Sequence, residues 1–447
     1  MPVFVLIDNV IISQELIGDN MILLKNGRVV DPYTNTDMIA DVLIKDGKIA
    51  QIEPNIKVSL AKEDEVYDCT GCVVGPGLVD IHVHFRDPGF TYKEDIFSGA
   101  KCAAAGGVTS VILMANTKPT VDTPETLEYI LDKAKQTDIH IYTCANITKG
   151  MQGKELTDFC KLKSLGAIGF TDDGVPIRDE EIVIKAMKEA VKNDAVLSFH
   201  EEEPSYIENN GVNHGKASEF YGIGGSDRNA EISMVKRDIE LAIKNGAKIN
   251  IQHISAKETL DAIRDAKKRC TGKQLIYAEA TPHHIALTQE ATIEYGTNAK
   301  MNPPLRTEQD RRAIIEAIKD DTIDFIATDH APHAVEEKEK DITKAPSGIL
   351  GLETSLPVIF DVLVKENGIS WMKVFCKMSL NPARLYQINA GKLAKNEIAD
   401  VVVFDEKALW KYEKTMSKSK NSPFLGHEFS GKIALTISSG KVVYNNI

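Results

Sequence analysis

The chain holds 447 residues, 43% apolar and 26% charged, with a net charge of −12. This is a globular composition, and its acidic balance excludes a general binder of nucleic acid or anionic membrane, though not a local basic pocket for an anionic ligand. Seven cysteines over this length exclude a disulfide framework and read as reduced thiols in the cytoplasm.

The first twenty residues, MPVFVLIDNVIISQELIGDN, are apolar early but lack a basic stretch and meet Asp8 quickly, which argues against a signal peptide. No later run reaches the ~18 apolar residues of a membrane span. Between residues 20 and 75, short alternating runs are separated by Asn-Gly and Asp-Gly, both hairpin signals: MILLKNGRVVD, ADVLIKDGKIAQIE and EVYDCTGCVV. Cys69 and Cys72 have no second pair at finger spacing and read as a strand edge.

From residue 78 the period changes. Strand candidates fall at 78–84, 108–114, 140–146, 167–171, 195–200, 248–253, 274–279 and 322–328. Amphipathic stretches alternate with them, among them TPETLEYILDKAKQ, DEEIVIKAMKEAVKN and TEQDRRAIIEAIKDD. Eight strand-then-helix units predict a (β/α)8 TIM barrel over 76–390, with a doubly wound open sheet as the alternative. The charged piece AVEEKEKDITKAPSG, 334–348, reads as a solvated loop able to act as a lid. IADVVVFD and KIALTISSGKVVY then return to the β style of the start. Residues 1–75 and 391–447 are therefore expected to form one small β-sandwich domain from both chain ends, giving an α/β fold overall.

Almost every strand candidate ends in a chemically loaded residue. The first ends in His82, His84 and Arg86, and the second runs to Asn116. The fourth reaches Asp172 and Asp173, the fifth His200 and the sixth His253. The eighth reaches Asp329, His330 and His333. Each has an ordinary reading alone: a satisfied core histidine, an Asp-Asp-Gly turn, a helix cap. In a barrel, however, the strand C-termini share one rim, where active sites are built. Four imidazoles and two carboxylates on that rim exceed what capping needs. Nitrogen mixed with oxygen and no thiolate suits zinc, manganese, iron or cobalt. Six ligands are too many for one tetrahedral catalytic zinc and suit two ions sharing a bridging carboxylate.

DIHVHFRDPG (80–89), MANTKP (114–119), GFTDDG (169–174), QHISAKE (252–258), TPHH (281–284), NPPLR (302–306), ATDHAPH (327–333) and GLET (351–354) together resemble the bacterial class I dihydroorotases of the amidohydrolase superfamily. The resemblance covers the whole chain. It implies two divalent ions, zinc foremost, on His82, His84, Asp173, His200, His253 and Asp329, with Asp173 bridging. It implies substrate contacts from Arg86, Asn116, Asn302 and His333, and from the backbone of Ser347 and Gly348. The implied reaction is the reversible cyclisation of N-carbamoyl-L-aspartate to (S)-dihydroorotate in pyrimidine biosynthesis. A metal-bridging hydroxide attacks in the hydrolytic direction, and Asp329 shuttles the proton. The implied assembly is a homodimer, with aspartate transcarbamoylase as a further partner. The chain departs from the family pattern at Ala115, at HEEE (200–203), at Ser347 and at Asn396, none of them a metal ligand. The rivals are another cyclic amidase (hydantoinase, dihydropyrimidinase or allantoinase) and a non-catalytic scaffold. The former carry lysine where this chain has Asp173; the latter have lost ligands that are all filled here.

Overall fold

The computed structural model describes residues 21–270 and 272–447; the signal-peptide reading of the first twenty residues lies outside them. Strands β1 (Ile22–Asp31), β2 (Thr36–Lys45) and β3 (Lys48–Glu53) form an antiparallel meander. Asp46 and Gly47, at φ 52° and 73°, make the β2–β3 turn, as an Asp-Gly hairpin requires. Asn26-Gly27, expected to be a hairpin turn as well, is instead a bulge inside β1. Asn26 sits at φ 60° with its N–H on Asp41 Oδ1, and the β1–β2 register shifts between Leu24 and Gly27. The dipeptide signal is the same in both places, but here the chain on either side is paired to one partner strand, so the left-handed residue kinks the strand without reversing it. Next come β4 (Glu65–Asp68) and β5 (Cys72–Pro76), with Cys69–Cys72 as the turn between them. Burial pushes the Cys69 thiol up to about 12 and the Cys72 thiol to about 11, so both stay protonated.

The barrel follows: β6 (Leu78–Val83), β7 (Val108–Leu113), β8 (His140–Thr143), β9 (Phe170–Thr171), β10 (Val196–Phe199), β11 (Lys248–Ile251), β12 (Ile276–Ala280) and β13 (Phe325–Ile326). All pairings are parallel, in the runs β6–β7–β8 and β9–β10–β11–β12–β13. Parallel bridges from Ala145 to Phe170 and from Val83 to His330 join the two runs into a closed ring, which rules out the open-sheet alternative. Three outer helices begin at side-chain caps: Asp95 before Ile96–Ala105, Thr123 before Pro124–Ala134 and Asp179 before Glu180–Lys192. Each cap satisfies amide donors that the first helical turn leaves open, so each helix starts at a fixed point just past its strand.

Strands β14 (Val401–Lys411), β15 (Glu428–Ser438) and β16 (Lys441–Asn445) complete the first sheet in the order β16-β15-β14-β5-β1-β2-β3. The free edge of β3 bridges back to Ile398, and one apolar cluster joins Leu24, Val42, Ile49, Val74, Val401, Val403 and Leu435. The sheet therefore curls over a core of its own as a β-sandwich drawn from both ends of the described chain. No helix among the described residues is long and apolar enough to cross a membrane. The loop 334–348 is less solvated than its charge implies: Lys338, Ile342 and Ala345 are buried, and Ile342 packs with Val212 and Ala217.

Candidate active site

His82 and His84 lie two apart on extended chain and face the same way, into the mouth of the barrel. His82 is fully buried. Its Nδ1 lies 2.5 Å from Glu279 Oε1 on β12, which leaves Nε2 facing Asp173 Oδ1 at 3.4 Å and Asp329 Oδ1 at 3.5 Å, with no hydrogen bond of its own. His84 Nδ1 bonds Asn116 Oδ1 at 3.0 Å, and its Nε2 lies 3.0 Å from Asp329 Oδ1 and 3.5 Å from Asp173 Oδ2. His200 Nε2 bonds Glu202 Oε2 at 3.0 Å, so Nδ1 is the inward atom, 3.6 Å from Asp173 Oδ1 and 3.0 Å from His253 Nε2. His253 Nε2 lies 3.9 Å from Asp173 Oδ1.

Three ligand groups close up within 4.8 Å: His82–His84–Asp173, His82–His253–Asp329 and Asp173–His200–His253. This donor set fits divalent cations. Three of the four imidazoles have their outer nitrogen fixed by an oxygen acceptor, which leaves the inner lone pair for a metal. An unpartnered, fully buried Nε2 between two carboxylates is the other sign. The charges in the cluster are crowded together. Burial opposes charge on His82, but Glu279, Asp173 and Asp329 pull its pKa well up. Burial and the neighbouring imidazoles drive His253 well down. Asp173 is held well below the usual carboxylate range by His82, His200 and His84, against the effect of burial.

The backbone is strained here. Arg86 (φ 58°), His253 (φ 35°) and Asp329 (φ 50°) are all left-handed, at about 1–3 kcal/mol each. The surroundings hold them there: the His253 N–H donates to Glu279 Oε1 at 3.2 Å, and the His84 N–H donates to the carbonyl of His330, next to Asp329, at 2.9 Å.

A cavity of about 170 Å³ opens beside the cluster, lined by Arg86, Asn116, Asn302, His333, Ser347 and Gly348 together with His84, Asp173, His200, His253 and Asp329. Arg86 is half-buried in this wall, and its Nε donates to Pro332 O at 3.2 Å. Burial and the charges of Arg86, Lys338 and Lys93 keep His333 neutral. Its Nε2–H donates to Ser347 O at 2.8 Å, and its Nδ1 faces Lys93 Nζ at 3.5 Å. The 3.4 Å approach of Arg86 Nη2 to His333 Nε2 is then a contact between two donors, and both residues line the cavity. Asn116 Nδ2 donates to Asp173 Oδ2 at 3.1 Å, tying this wall to the cluster.

Every named candidate residue thus reaches the cluster or the cavity. Two other polar residues from the strand ends do not. Asp172 turns outward and accepts the amides of Ile147 and Thr148, and His330 packs behind the rim with its Nδ1 on the Gly351 amide. Sequence reasoning missed Glu279, Glu202 and Asp80. Asp80 joins the first strand to the eighth by accepting the amides of His82 and Thr328, and burial pushes it up to about 6. The available signal was a carboxylate inside an apolar strand, as in LIYAEA for Glu279.

A closed parallel barrel with imidazoles and carboxylates converging at its strand C-ends defines a metal-dependent cyclic amidohydrolase when set beside its relatives. The family model described as Dihydro-orotase-like matches residues 71–259. The dihydroorotase of Clostridioides difficile strain 630 is 51% identical over 95% of this chain and 100% of its own length; that of Clostridium acetobutylicum is 48% identical over the same shares. The L-hydantoinase (dihydropyrimidinase) from Arthrobacter aurescens superposes with a TM-score of 0.83 at 25% identity, covering 96% of each chain. The chain belongs to the dihydroorotase family.

Proposed function

We propose that the chain interconverts N-carbamoyl-L-aspartate and (S)-dihydroorotate through the cluster and cavity described above, with His82, His84, Asp173, His200, His253 and Asp329 holding two divalent ions, zinc foremost. The observation that carries this reading is the pairing, in one small cavity, of a cluster fit to bind cations with the half-buried guanidinium of Arg86. A neutral cyclic amide would not need the second element; a ring bearing a carboxylate would. The same reading takes 76–390 as the catalytic barrel and the two flanking segments as one sandwich domain, in a cytoplasmic homodimer.

When bound, the ions supply Lewis acidity and a water that ionises near neutral pH. The rest falls to the chain. Arg86 and Asn116, with the His333 side and the Ser347–Gly348 backbone, fix the substrate carboxylate through charge-assisted bonds, so the scissile amide lies against the cluster. Asp329 Oδ1 stands 3.0 Å from His84 Nε2. In the hydrolytic direction Asp329 takes the proton of the attacking water and delivers it to the ring nitrogen as the C–N bond breaks; cyclisation runs the same transfer backwards. The test is ring opening of dihydroorotate by the purified protein, followed by ultraviolet absorbance, before and after dialysis against a chelator. Turnover that is lost on dialysis and restored by zinc is expected; no turnover in the zinc-loaded protein would overturn the reading.

A further inference from the structure

Two lysines that ordinary expectation puts on the surface are buried beside the cavity. Lys300 is 3% exposed and Lys338 is 5% exposed. Neither has a carboxylate within ion-pair reach among the described residues; both ammonium groups spend their donors on backbone carbonyls. Lys300 Nζ donates to Ile342 O and Ala345 O, both at 2.7 Å. Lys338 Nζ donates to Pro346 O at 2.9 Å, Gly348 O at 3.0 Å and Lys300 O at 3.5 Å. The Gly348 amide returns a bond to Lys300 O at 2.9 Å. Four carbonyls of one short loop are thereby satisfied by two ammonium groups, and the loop is cross-braced to the segment that leads into Asn302.

That brace ends at the cavity. Ser347 and Gly348 line it from the loop, and Asn302 lines it from the braced segment. Ser347 O, between the two carbonyls held by Lys338, accepts the His333 Nε2–H and so sets the tautomer of that ring. The spacing is tight: a Cβ at Gly211 would lie 2.4 Å from Ser347 Oγ and 2.8 Å from Lys300 Cγ, so the wall has little room to rearrange.

We propose that Lys300 and Lys338 are positioning residues for the carboxylate end of the substrate: they hold the Ser347–Gly348 backbone and Asn302 in the wall opposite the cation cluster and touch no reacting atom. Burying an ammonium without a counter-ion is costly. Burial, then the neighbouring Lys300 charge, push Lys338 down to about 7, against the pull of Glu337. A methionine would fill the same space more cheaply but would leave Pro346 O without its donor. Positive charge at this spot also lies on the side where an anionic substrate must arrive; the charge of Lys338 acts on His333, which shares that wall.

The inference rests on the dihydroorotate reading. Wild-type turnover on dihydroorotate tests that reading, and the ratio of variant to wild type tests this one. Lys338→Met and Lys300→Met are expected to raise KM for dihydroorotate about ten-fold, leaving kcat within about three-fold. Unchanged KM in both, or a loss confined to kcat, would overturn the proposal. Should either variant fail to fold, hydrogen exchange on the zinc-loaded wild-type protein decides. Saturating dihydroorotate is expected to slow exchange of the amides in 339–348, and unaltered exchange would count against the brace.

Discussion

His82, His84, Asp173, His200 and His253 sit in or just past barrel strands, whereas Arg86, Asn302, His333, Ser347 and Gly348 sit on the loops those strands feed. The first group inherits its placement from the parallel ladder. Closing the ring at Val83–His330 and Ala145–Phe170 brings the strand ends together, and acceptors such as Glu279, Asn116 and Glu202 need only set each ring's rotation. The second group has no ladder to lean on. It is held by a left-handed Arg86, by Asn421, whose side chain bridges the His333 amide and the carbonyls of Ala331 and Gly348, and by the two buried lysines. In the proposed reading, chemistry thus falls on the strand ends and recognition on the loops that must be braced. Substitutions in the first region should act on turnover, and those in the second on binding.

Asp329→Asn offers the largest effect: kcat should fall about 10²–10⁴-fold with the melting temperature little changed. A variant that keeps its rate would remove Asp329 from proton transfer. Arg86→Ala, from the other region, should raise KM for dihydroorotate about 10–100-fold and spare kcat, as expected for a lost charge-assisted bond; a pure kcat loss would erase the contrast between regions. Glu279→Gln sharpens the role of the outer acceptors: it should weaken zinc retention about 10–100-fold in competition with a chelator, and unchanged retention would reduce Glu279 to packing.

The smallest effect lies away from both regions, where His140 at the start of β8 meets Asp400 of the sandwich, Nε2 to Oδ2 at 3.1 Å. The bond to Asp400 outweighs burial and raises the His140 pKa above 6.5. A raised folded pKa stabilises fully below the unfolded value of about 6.5 and is lost as pH climbs through the folded value. The difference in unfolding free energy between wild type and His140→Gln should therefore be widest near pH 6 and shrink toward pH 9, within about 1 kcal/mol throughout. A gap that widens with pH would contradict the pairing.

The two regions also differed in how legible they were. The convergence of imidazoles and carboxylates could be read from sequence because such a residue at the end of an apolar strand is conspicuous, and a barrel gathers all such ends. Period and capping made the eight strands and most of the helices readable. The Asn26 bulge was not, because a dipeptide cannot say whether its flanks pair with each other or with a third strand. The outer acceptors were hidden for a related reason: Glu279 has meaning only once β12 stands beside β6. The loop 334–348 was misread because Lys338 looks like every other charge in VEEKEKD until the converging carbonyls of Pro346 and Gly348 are seen.

If a cation cluster and an anion-binding wall act on one ring, the protein must select substrates by the ring carboxylate. Rates of opening of dihydroorotate and of dihydrouracil, the same ring without the carboxylate, are to be compared on the zinc-loaded protein. A site built to bond the carboxylate should favour dihydroorotate by about 10³-fold or more in kcat/KM. Equal rates, or a preference for dihydrouracil, would contradict it.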